Sequence, residues 1–591
     1  MGGAMGSASR PGAGDRNLVG MFALLLAAGY LWERLAALPE TARIFYQALG
    51  PAGIALLILP AAAGVYLWRR LRAAKWPAFW SAMAPALLAL VVTPTALRAM
   101  LVAAVDLPPL PSLSESLALL AGVILVLALS RLARYRPGVA LTVLAVCCAL
   151  LAASLGWWRY VRGTGSDTGL FCQALWNTLH GRLMNTTFEG GGADGLSHLA
   201  VHFSPTLFLL TPLYALWPDG RVLMITQAVA LGAAAWPCFK LLAEDFPGRP
   251  AALSRSSAFM VTGALLLSAG LFCPAGEEFH EMTLAPVAFL WAAYYWERGR
   301  MGRFAVWAVL LLGVKETFAP IVALFAVLAL ARRQGWRRAI LPLALGAVSL
   351  AASWWVIAGS GQPAFYDNLY AHLGPTPGAK VHTLVTEPGY VLHHLVRLPN
   401  RVYLAQVLGP LGYLAPLTSV WAAFAVPHLV ANMLSLSEIN YPLQLFFWHS
   451  TLAVTALVLA FGLALGKWRR RLGAGATGEQ CVAALALVSV AWACVPWLSY
   501  VLKSTPSADY ARQGRSIARL VPPEAPLLAP YGLSGWVANR RQLYFHRDSL
   551  VLRPDYVWRD SPALPIPPGY RLVARRGPHE LWERMQAPRR P

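Results

Sequence analysis

An aspartate lies where a long apolar run of the sequence gives way to a short polar loop. Asp167 occupies segment 163–173, which reads GTGSDTGLFCQ, and the apolar run before it ends at Trp157 and Trp158. A carboxylate at the exit of a membrane helix can be ionised and still reach a reaction held at the membrane surface. It could act there as a general base for an attacking hydroxyl. The alternative is structural, since an aspartate also caps a helix such as the one predicted over 168–179.

A lysine stands in a similar position further along the chain. Lys315 ends an apolar run and is followed by Glu316. An uncompensated charge is costly at that depth, so a partner is expected. An anionic phosphate would be such a partner, and the ammonium would stabilise the charge of a phosphate leaving group. The alternative is an ion pair with Glu316 or with a glutamate of segment 277–281.

Segment 277–281 holds three glutamates and one histidine, among them His280 and Glu281. These side chains could orient the hydroxyl groups of a substrate, bind a divalent cation or form a solvated acidic rim. His198 and His202 are four residues apart and would share one face of a helix. They lack the adjacent glutamate of zinc proteases, so a polar contact to substrate is favoured over zinc. We assign no metal ligand and no cofactor, although a divalent cation is compatible with the acidic segment.

The composition indicates a polytopic α-helical membrane protein. Of 591 residues, 57% are hydrophobic and only 13% are charged, and the mean hydropathy is +0.52. The net charge of +22 arises largely in short loops beside apolar runs, at 69–75, 131–136, 298–303, 332–338 and 467–471. Such clusters mark the cytoplasmic side of a membrane protein, so nucleic acid is excluded as a partner.

Apolar runs and basic loops together predict the topology and the domains. Fifteen crossings are expected, with the N-terminus inside and the C-terminus outside: 18–38, 51–68, 78–101, 116–131, 138–158, 222–241, 256–274, 283–296, 303–315, 317–331, 339–359, 403–418, 420–433, 447–466 and 481–501. Residues 203–217 are expected to form a helix along the outer surface. We predict extra N-terminal helices over 1–137, a transmembrane core over 138–501 and a small basic α/β domain over 502–591. In that tail, residues 509–520 are helical, and strands are expected near 526–529, 542–545, 555–558, 570–574 and 580–582.

Several segments resemble the GT-C superfamily of membrane glycosyltransferases, in its protein-mannosyltransferase-like branch. The matching pieces are Asp167, the HFSP run 202–205, the FKLLA run 239–243, the GVKE run 313–316 and Trp354-Trp355. A family of predicted bacterial membrane proteins with a domain of unknown function is more similar still. Its features resemble the DTGLFCQALWN run 167–177, the HLAVHFSP run 198–205, the FHEMTLAP run 279–286, Lys315-Glu316 and a stretch ending near His449. That family often has a second aspartate where this chain has Cys172, which argues against a carboxylate pair that chelates a metal.

The resemblance implies a GT-C-like all-α fold and a function. The expected reaction is transfer of a sugar from a polyprenyl-phosphate donor to an extracytoplasmic acceptor, in the inner (plasma) membrane and among membrane lipids. Asp167 would be the catalytic residue, and the expected substrate-binding residues are Lys315, Glu316, His280, Glu281, His198, His202 and Gln173. The alternative is a transporter or flippase-like protein for a lipid-linked or small anionic solute. A transporter is expected to have internal repeats and charges near the bilayer midplane, whereas here the ionisable residues collect at the outer ends of spans.

Overall fold

The computed structural model describes residues 113–190, 192–361, 368–436, 448–472, 476–494, 505–545 and 547–585. The predicted crossings 18–38, 51–68 and 78–101 lie outside these residues. The first half of the described chain contains α1 (Leu113–Tyr135), α2 (Pro137–Val161), α3 (Ser166–Leu179), β1 (Asn185–Thr186), β2 (Leu196–Ser197), α4 (Thr211–Leu216), α5 (Gly220–Ala233), α6 (Ala235–Ala243), α7 (Arg255–Leu266), α8 (Ala269–Ala275) and α9 (Ala285–Glu297).

The second half is helical up to its last eighty residues. It contains α10 (Met301–Leu312), α11 (Ala319–Ala331), α12 (Trp336–Gly359), α13 (Pro377–Thr386), α14 (Pro388–Leu395), α15 (Leu398–Leu408), α16 (Leu414–Leu417), α17 (Val426–Leu434), α18 (Thr451–Leu472), α19 (Ala476–Trp492) and α20 (Ala508–Ala518). The strands of its last part are β3 (Leu527–Leu528), β4 (Leu543–Tyr544), β5 (Tyr556–Arg559), β6 (Tyr570–Arg576) and β7 (His579–Arg584).

Within the described residues, four helices are long and apolar enough to cross a membrane: Pro137–Val161, Gly220–Ala243, Trp336–Gly359 and Trp448–Arg470. They coincide with four of the predicted crossings. Shorter apolar helices lie over Pro205–Leu216, Met301–Leu312, Glu316–Ala331, Val420–Leu434 and Thr477–Ala491. The total of fifteen crossings and the surface position of residues 203–217 stay predictions.

One predicted crossing, 256–274, is broken. Its helices α7 and α8 meet at an angle of 52°, and together they form at most a fifth spanning element of the described chain. A break exposes backbone carbonyls, which must find donors inside an apolar bundle. The thiol of Cys494 donates to the carbonyl of Leu267 (2.7 Å), and the hydroxyl of Ser268 donates to that of Leu265 (2.7 Å). Two carbonyls at the bend are therefore paired, and α8 leads directly into segment 276–281.

The last part of the described chain, residues 505–585, forms a unit that we call the C-terminal unit. Its five-stranded sheet has the order β4-β3-β5-β7-β6, with β3 parallel to β4 and β5, and with β7 antiparallel to β5 and β6. Helix α20 precedes the sheet. The predicted small α/β fold of the tail is confirmed, because all five expected strands and the expected helix are present.

The C-terminal unit shares a hydrophobic core with the segments around α3. Ile517, Leu533 and Trp558 are buried in the same cluster as Phe171 and Phe279. Further ties cross the contact, since Trp536 Nε1 donates to the carbonyl of Tyr160 (2.9 Å). The chain segments before and after the predicted domain boundary at residue 502 therefore share one hydrophobic core.

This shared core leads to a prediction about a fragment of residues 503–591. We expect the isolated fragment to lose fixed packing, because separation removes Phe171 and its neighbours from the core that they share with Ile517 and Leu533. The ¹H–¹⁵N NMR spectrum of the fragment should show poor dispersion and exchange broadening. A well-dispersed spectrum of a soluble monomer would contradict this expectation and would support an autonomous domain.

Candidate active site

Asp167 lies in the first turn of α3, and the helix begins after Gly165. Its backbone N–H donates to Glu278 Oε2 at 2.7 Å, which joins α3 to the segment that follows α8. Its carboxylate does not serve as the helix cap. Instead Oδ1 accepts a hydrogen bond from the hydroxyl of Tyr531, at 2.9 Å, in the C-terminal unit. Asp167 is thus held by two distant chain segments, its backbone N–H by Glu278 and its carboxyl group by Tyr531.

The environment of Asp167 disfavours its charged form. Burial, and next the carboxylate of Glu278, raise the pKa of Asp167 well above the usual range of an aspartate. The hydroxyl of Tyr531 opposes this rise, and the Lys315 ammonium also lowers the pKa. A carboxyl group with a raised pKa is a stronger base when ionised, which suits proton abstraction near neutral pH.

Two glycines allow Tyr531 to come this close. A Cβ atom on Gly169 would meet Ser534 Oγ at 2.3 Å, and one on Gly163 would meet Leu533 Cδ2 at 2.3 Å. Gly163 also has a φ of +87°, which favours glycine. The turn that carries Tyr531 therefore packs directly on the backbone of α3. Gly169, two residues after Asp167, has a physical reason to be glycine.

Lys315 is buried and pairs with Glu281, whose Oε1 lies 3.1 Å from the lysine Nζ. The next residue, Glu316, is also buried and holds segment 202–203: its Oε1 lies 3.2 Å from His202 Nδ1, and its Oε2 accepts from the backbone N–H of Phe203 at 2.8 Å. The sequence alternative of an ion pair for Lys315 is therefore realised with Glu281. This pair lies close to Asp167, because both of its members influence the pKa of that carboxyl group.

Each of the three predicted histidines is paired with a glutamate. His198 Nδ1 lies 2.9 Å from Glu189 Oε2, His202 faces Glu316, and His280 Nδ1 lies 3.0 Å from Glu281 Oε2. The ring of Phe171 contacts two of them, with centroids 5.3 Å from His198 and 5.7 Å from His280. These contacts gather the histidines around Lys315.

Burial and the neighbouring charges shift the pKa values of the three histidines in different directions. Burial lowers the pKa of His198, but the Glu189 carboxylate outweighs burial, and the net result is a raised pKa. Burial, and next Lys315, lower the pKa of His202, and they lower the pKa of His280 well below its usual range. Neutral imidazoles at His202 and His280 can both donate and accept hydrogen bonds near the fixed charge of Lys315.

The segment that carries Glu278 and His280 is held by a buried glutamine. Gln227 Nε2 donates to the carbonyl of Glu277 at 2.9 Å, and Gln227 Oε1 accepts from the backbone N–H of His280 at 3.4 Å. The carboxylate of Glu277 points away and pairs with Arg159 at 2.6 Å. The polar side chains of this segment thus have different partners: Glu277 pairs with Arg159, whereas Glu278 and Glu281 contact Asp167 and Lys315.

Sequence reasoning missed three residues of the site: Tyr531, His428 and His449. His428 and His449 belong to the site because each lies within electrostatic reach of Lys315. Nothing in the spacing of His428 signals a site, although His449 ends a stretch that resembles the bacterial family. Gln173, in contrast, is not brought into the cluster. Its buried amide bonds Thr186, Thr187 and the carbonyls of Arg540 and Arg541, and so joins α3 to the C-terminal unit.

Several buried polar atoms of the cluster have no hydrogen-bond partner among the described residues: His198 Nε2, and Nδ1 and Nε2 of His428. Buried polar groups are normally satisfied, so unsatisfied ones that cluster together indicate a place where a polar ligand binds. The described residues contain no group of three His, Cys, Asp or Glu side chains arranged to hold a metal ion.

A comparison with protein families identifies the chain. Residues 161–580 match the family described as "Predicted membrane protein (DUF2079)", which is most of the sequence. The chain belongs to this family. The matched range includes Asp167, Lys315, the paired histidines and Tyr531. No curated protein matches the sequence.

Among solved structures, the chain is similar to two structures of ArnT from Cupriavidus metallidurans. The one bound to undecaprenyl phosphate has 14% identity and a TM-score of 0.45, and the apo form has 13% identity and a TM-score of 0.42; each alignment covers 75% of this chain and 97% of the other. The chain is also similar to the oligosaccharyltransferase of Archaeoglobus fulgidus, in complex with Zn and sulfate. That alignment has 15% identity and a TM-score of 0.32, and it covers 68% of this chain and 62% of the other.

Proposed function

We propose that this membrane protein is a glycosyltransferase that moves a sugar from a polyprenyl-phosphate donor to an acceptor on the outer side of the membrane. The observation that carries the proposal is the placement of Asp167, a half-buried carboxyl group with a raised pKa, within electrostatic reach of the buried Lys315. Sugar transfer from a lipid phosphate needs these two groups close together, a base for the acceptor and a cation for the leaving phosphate.

The proposed reaction assigns one task to each group. The hydroxyl oxygen of the acceptor attacks the anomeric carbon of the donor sugar, and its proton passes to the carboxylate of Asp167. The bond between the anomeric carbon and the phosphate oxygen breaks, and its electron pair remains on the phosphate. Lys315 faces the phosphate and stabilises its charge. Its ordinary partner Glu281 keeps the ammonium in position while the donor is absent.

The histidines suit recognition of the donor. The lowered pKa values of His202 and His280 favour neutral imidazoles, which can bond to sugar hydroxyls or phosphate oxygens. His198 keeps a raised pKa, and its unpaired Nε2 is available as a donor. Carboxylates lie beside Nδ1 of His198 and of His202, whereas Nδ1 of His280 accepts from the backbone N–H of Met282 at 3.3 Å.

A direct experiment uses the full-length protein in nanodiscs. The carrier supplied is undecaprenyl phosphate, the polyprenyl phosphate that one ArnT structure contains. Radiolabelled undecaprenyl-phosphate sugars and a cell-envelope extract are supplied, and both released undecaprenyl phosphate and label in the extract are measured. We expect the two products in equal amounts. Passage of intact donor across a vesicle membrane, without release of the carrier, would instead support transport.

Tyr531 leads to a prediction about pH dependence. Asp167 acts as a base only when ionised, so the rate should fall as pH drops through its pKa. The hydrogen bond from Tyr531 stabilises the carboxylate and so lowers the pKa of Asp167. Tyr531→Phe removes this bond and should therefore raise that pKa. A hydrogen bond to a charged group contributes about 1.5–3 kcal/mol, so the acid limb of the rate profile should move up by about one to two pH units.

A matched control tests this shift. Tyr556→Phe removes a similar bond to a carboxylate, that of Glu583 at 2.8 Å, on the sheet of the C-terminal unit. This variant should keep the acid limb of the parent protein. If Tyr531→Phe lowers the rate equally at every pH, then the tyrosine has a purely structural role.

A further inference from the structure

A second group of charged residues lies at the opposite end of the helices from Asp167. Helix α5 begins beside Thr168, because a Cβ atom on its first residue, Gly220, would meet Thr168 Cγ2 at 2.8 Å. With α6 it forms a span of 24 residues that ends at Ala243, which corresponds to about 36 Å at 1.5 Å per residue. Arg249 follows this span and therefore lies far from the candidate active site.

Three arginines surround a single carboxylate there, and we call them the inner arginine cluster: Arg249, Arg332 and Arg338. Glu297, at the end of α9, pairs with Arg332 at 2.7 Å, and its Oε1 lies 3.8 Å from Arg249 Nε. Arg338 packs its guanidinium 4.4 Å from the ring centroid of Trp296 and donates to the carbonyl of that residue. The cluster has three positive charges and one negative charge.

The most deeply buried arginine of the cluster, Arg249, lacks hydrogen-bond acceptors in the described part of the chain for part of its guanidinium group. The Arg249 side chain is 1% exposed, yet Nη1 and Nη2 have no hydrogen-bond partner among the described residues. Its guanidinium lies 4.8 Å from the ring centroid of Phe246 and 5.8 Å from that of Trp421. Burial lowers the pKa of Arg249 to about 10. A buried guanidinium whose Nη atoms lack acceptors is costly, so the site favours an additional anion.

The nearby carboxylates of Glu244 and Asp245 have other partners and do not bind the Nη atoms of Arg249. Glu244 is paired with Lys240 at 3.4 Å and with Arg298. Asp245 is exposed and accepts from the backbone N–H of Ala252 at 3.1 Å. Arg332 and Arg338 are only partly buried, so the cluster can be approached from their side.

We propose that the inner arginine cluster binds a phosphate group, carried by the headgroup of an anionic membrane lipid. A guanidinium group can form two parallel hydrogen bonds to the oxygens of one phosphate. Basic pockets between membrane helices on the cytoplasmic side are typical sites for anionic headgroups. The neighbouring Trp336, at the start of α12, is 65% exposed, and an exposed indole suits the headgroup level of a bilayer. This proposal is independent of the glycosyltransferase reaction.

The test compares ligands with the same phosphate chemistry from different sources. Full-length protein is delipidated in detergent, and its thermal midpoint is measured after addition of phosphatidylglycerol, phosphatidylcholine or inorganic phosphate. Retained lipids are counted by native mass spectrometry. We expect phosphatidylglycerol to raise the midpoint more than phosphatidylcholine. Equal effects of the two lipids would overturn the proposal. If inorganic phosphate reproduces the whole effect of phosphatidylglycerol, the lipid assignment is overturned and a free phosphate is the ligand.

Variants localise the effect to the cluster. Arg249→Gln and Arg338→Gln should each weaken phosphatidylglycerol binding by about tenfold, which corresponds to the loss of one charge-assisted hydrogen bond. If Arg249→Gln does not fold, lipid binding by Arg338→Gln shows whether the cluster binds phosphatidylglycerol. The control is Arg303→Gln, an exposed arginine at the start of α10 outside the cluster. Unchanged lipid selectivity in Arg338→Gln, or the same loss in Arg303→Gln, would show that the cluster is only a structural tie.

Discussion

Asp167→Asn should lower the rate of sugar transfer by about 10²–10⁴-fold, the usual contribution of a general base. Asparagine has nearly the same size and still accepts the hydrogen bond from Tyr531, so the local geometry should persist. It cannot take the proton of the acceptor hydroxyl, and that proton transfer is the step we assign to this carboxylate. The measurement is release of undecaprenyl phosphate in nanodiscs, together with its binding in the absence of acceptor. Transfer should nearly vanish while binding persists.

The same substitution should not destabilise the protein. The pKa of Asp167 is raised in the fold, so its ionised form is penalised there, and this carboxyl group costs stability once the pH is above its unfolded pKa. Asparagine removes the penalty, so the thermal midpoint at pH 7 should be equal to or above that of the parent. The matched control is Asp194→Asn, because the Asp194 side chain is 90% exposed and lies outside the cluster. Full transfer by Asp167→Asn would exclude this residue as the base.

The sequence was most informative about local features. Within the described residues, most of the apolar runs coincide with helices, although the run 403–418 is interrupted between α15 and α16. The tail alternation predicted all five strands, because both patterns depend on neighbouring residues in the chain. The bend between α7 and α8 was not predicted, since a run of apolar residues is also compatible with one straight crossing. The groups that make the bend acceptable are Ser268 and the distant Cys494, and their proximity depends on tertiary packing.

The candidate site shows the same limit. Asp167 and Lys315 could be selected from the sequence because a charge at the end of an apolar run is costly and conspicuous. Tyr531 could not, because it is 364 residues away from Asp167 in the sequence and begins a short 3-10 helix, Tyr531–Val537, of ordinary composition. Gln173 was selected through its place in a family-like motif, yet its buried amide supports the contact with the C-terminal unit. A motif can thus contain a residue that holds the site together without facing the substrate.

Lys315→Met should weaken binding of undecaprenyl phosphate by about 10- to 100-fold, the loss expected for a charge-assisted bond to phosphate. The substitution also leaves Glu281 buried without its cation. Breaking a buried ion pair from one side costs about 3–5 kcal/mol, so the variant should unfold at a lower temperature. Weaker binding could then be a consequence of instability, and a second variant is needed to separate the two effects.

The double variant Lys315→Met with Glu281→Gln provides this separation. Removal of both charges eliminates the unpaired carboxylate, so most of the lost stability should return. Donor binding should remain weak, because the cation that faces the phosphate is still absent. Lys240→Met is the control, since this lysine has a partly exposed pair with Glu244 and should change neither property much. If the double variant binds undecaprenyl phosphate as tightly as the parent protein, then Lys315 is a structural partner of Glu281, and the phosphate must bind elsewhere.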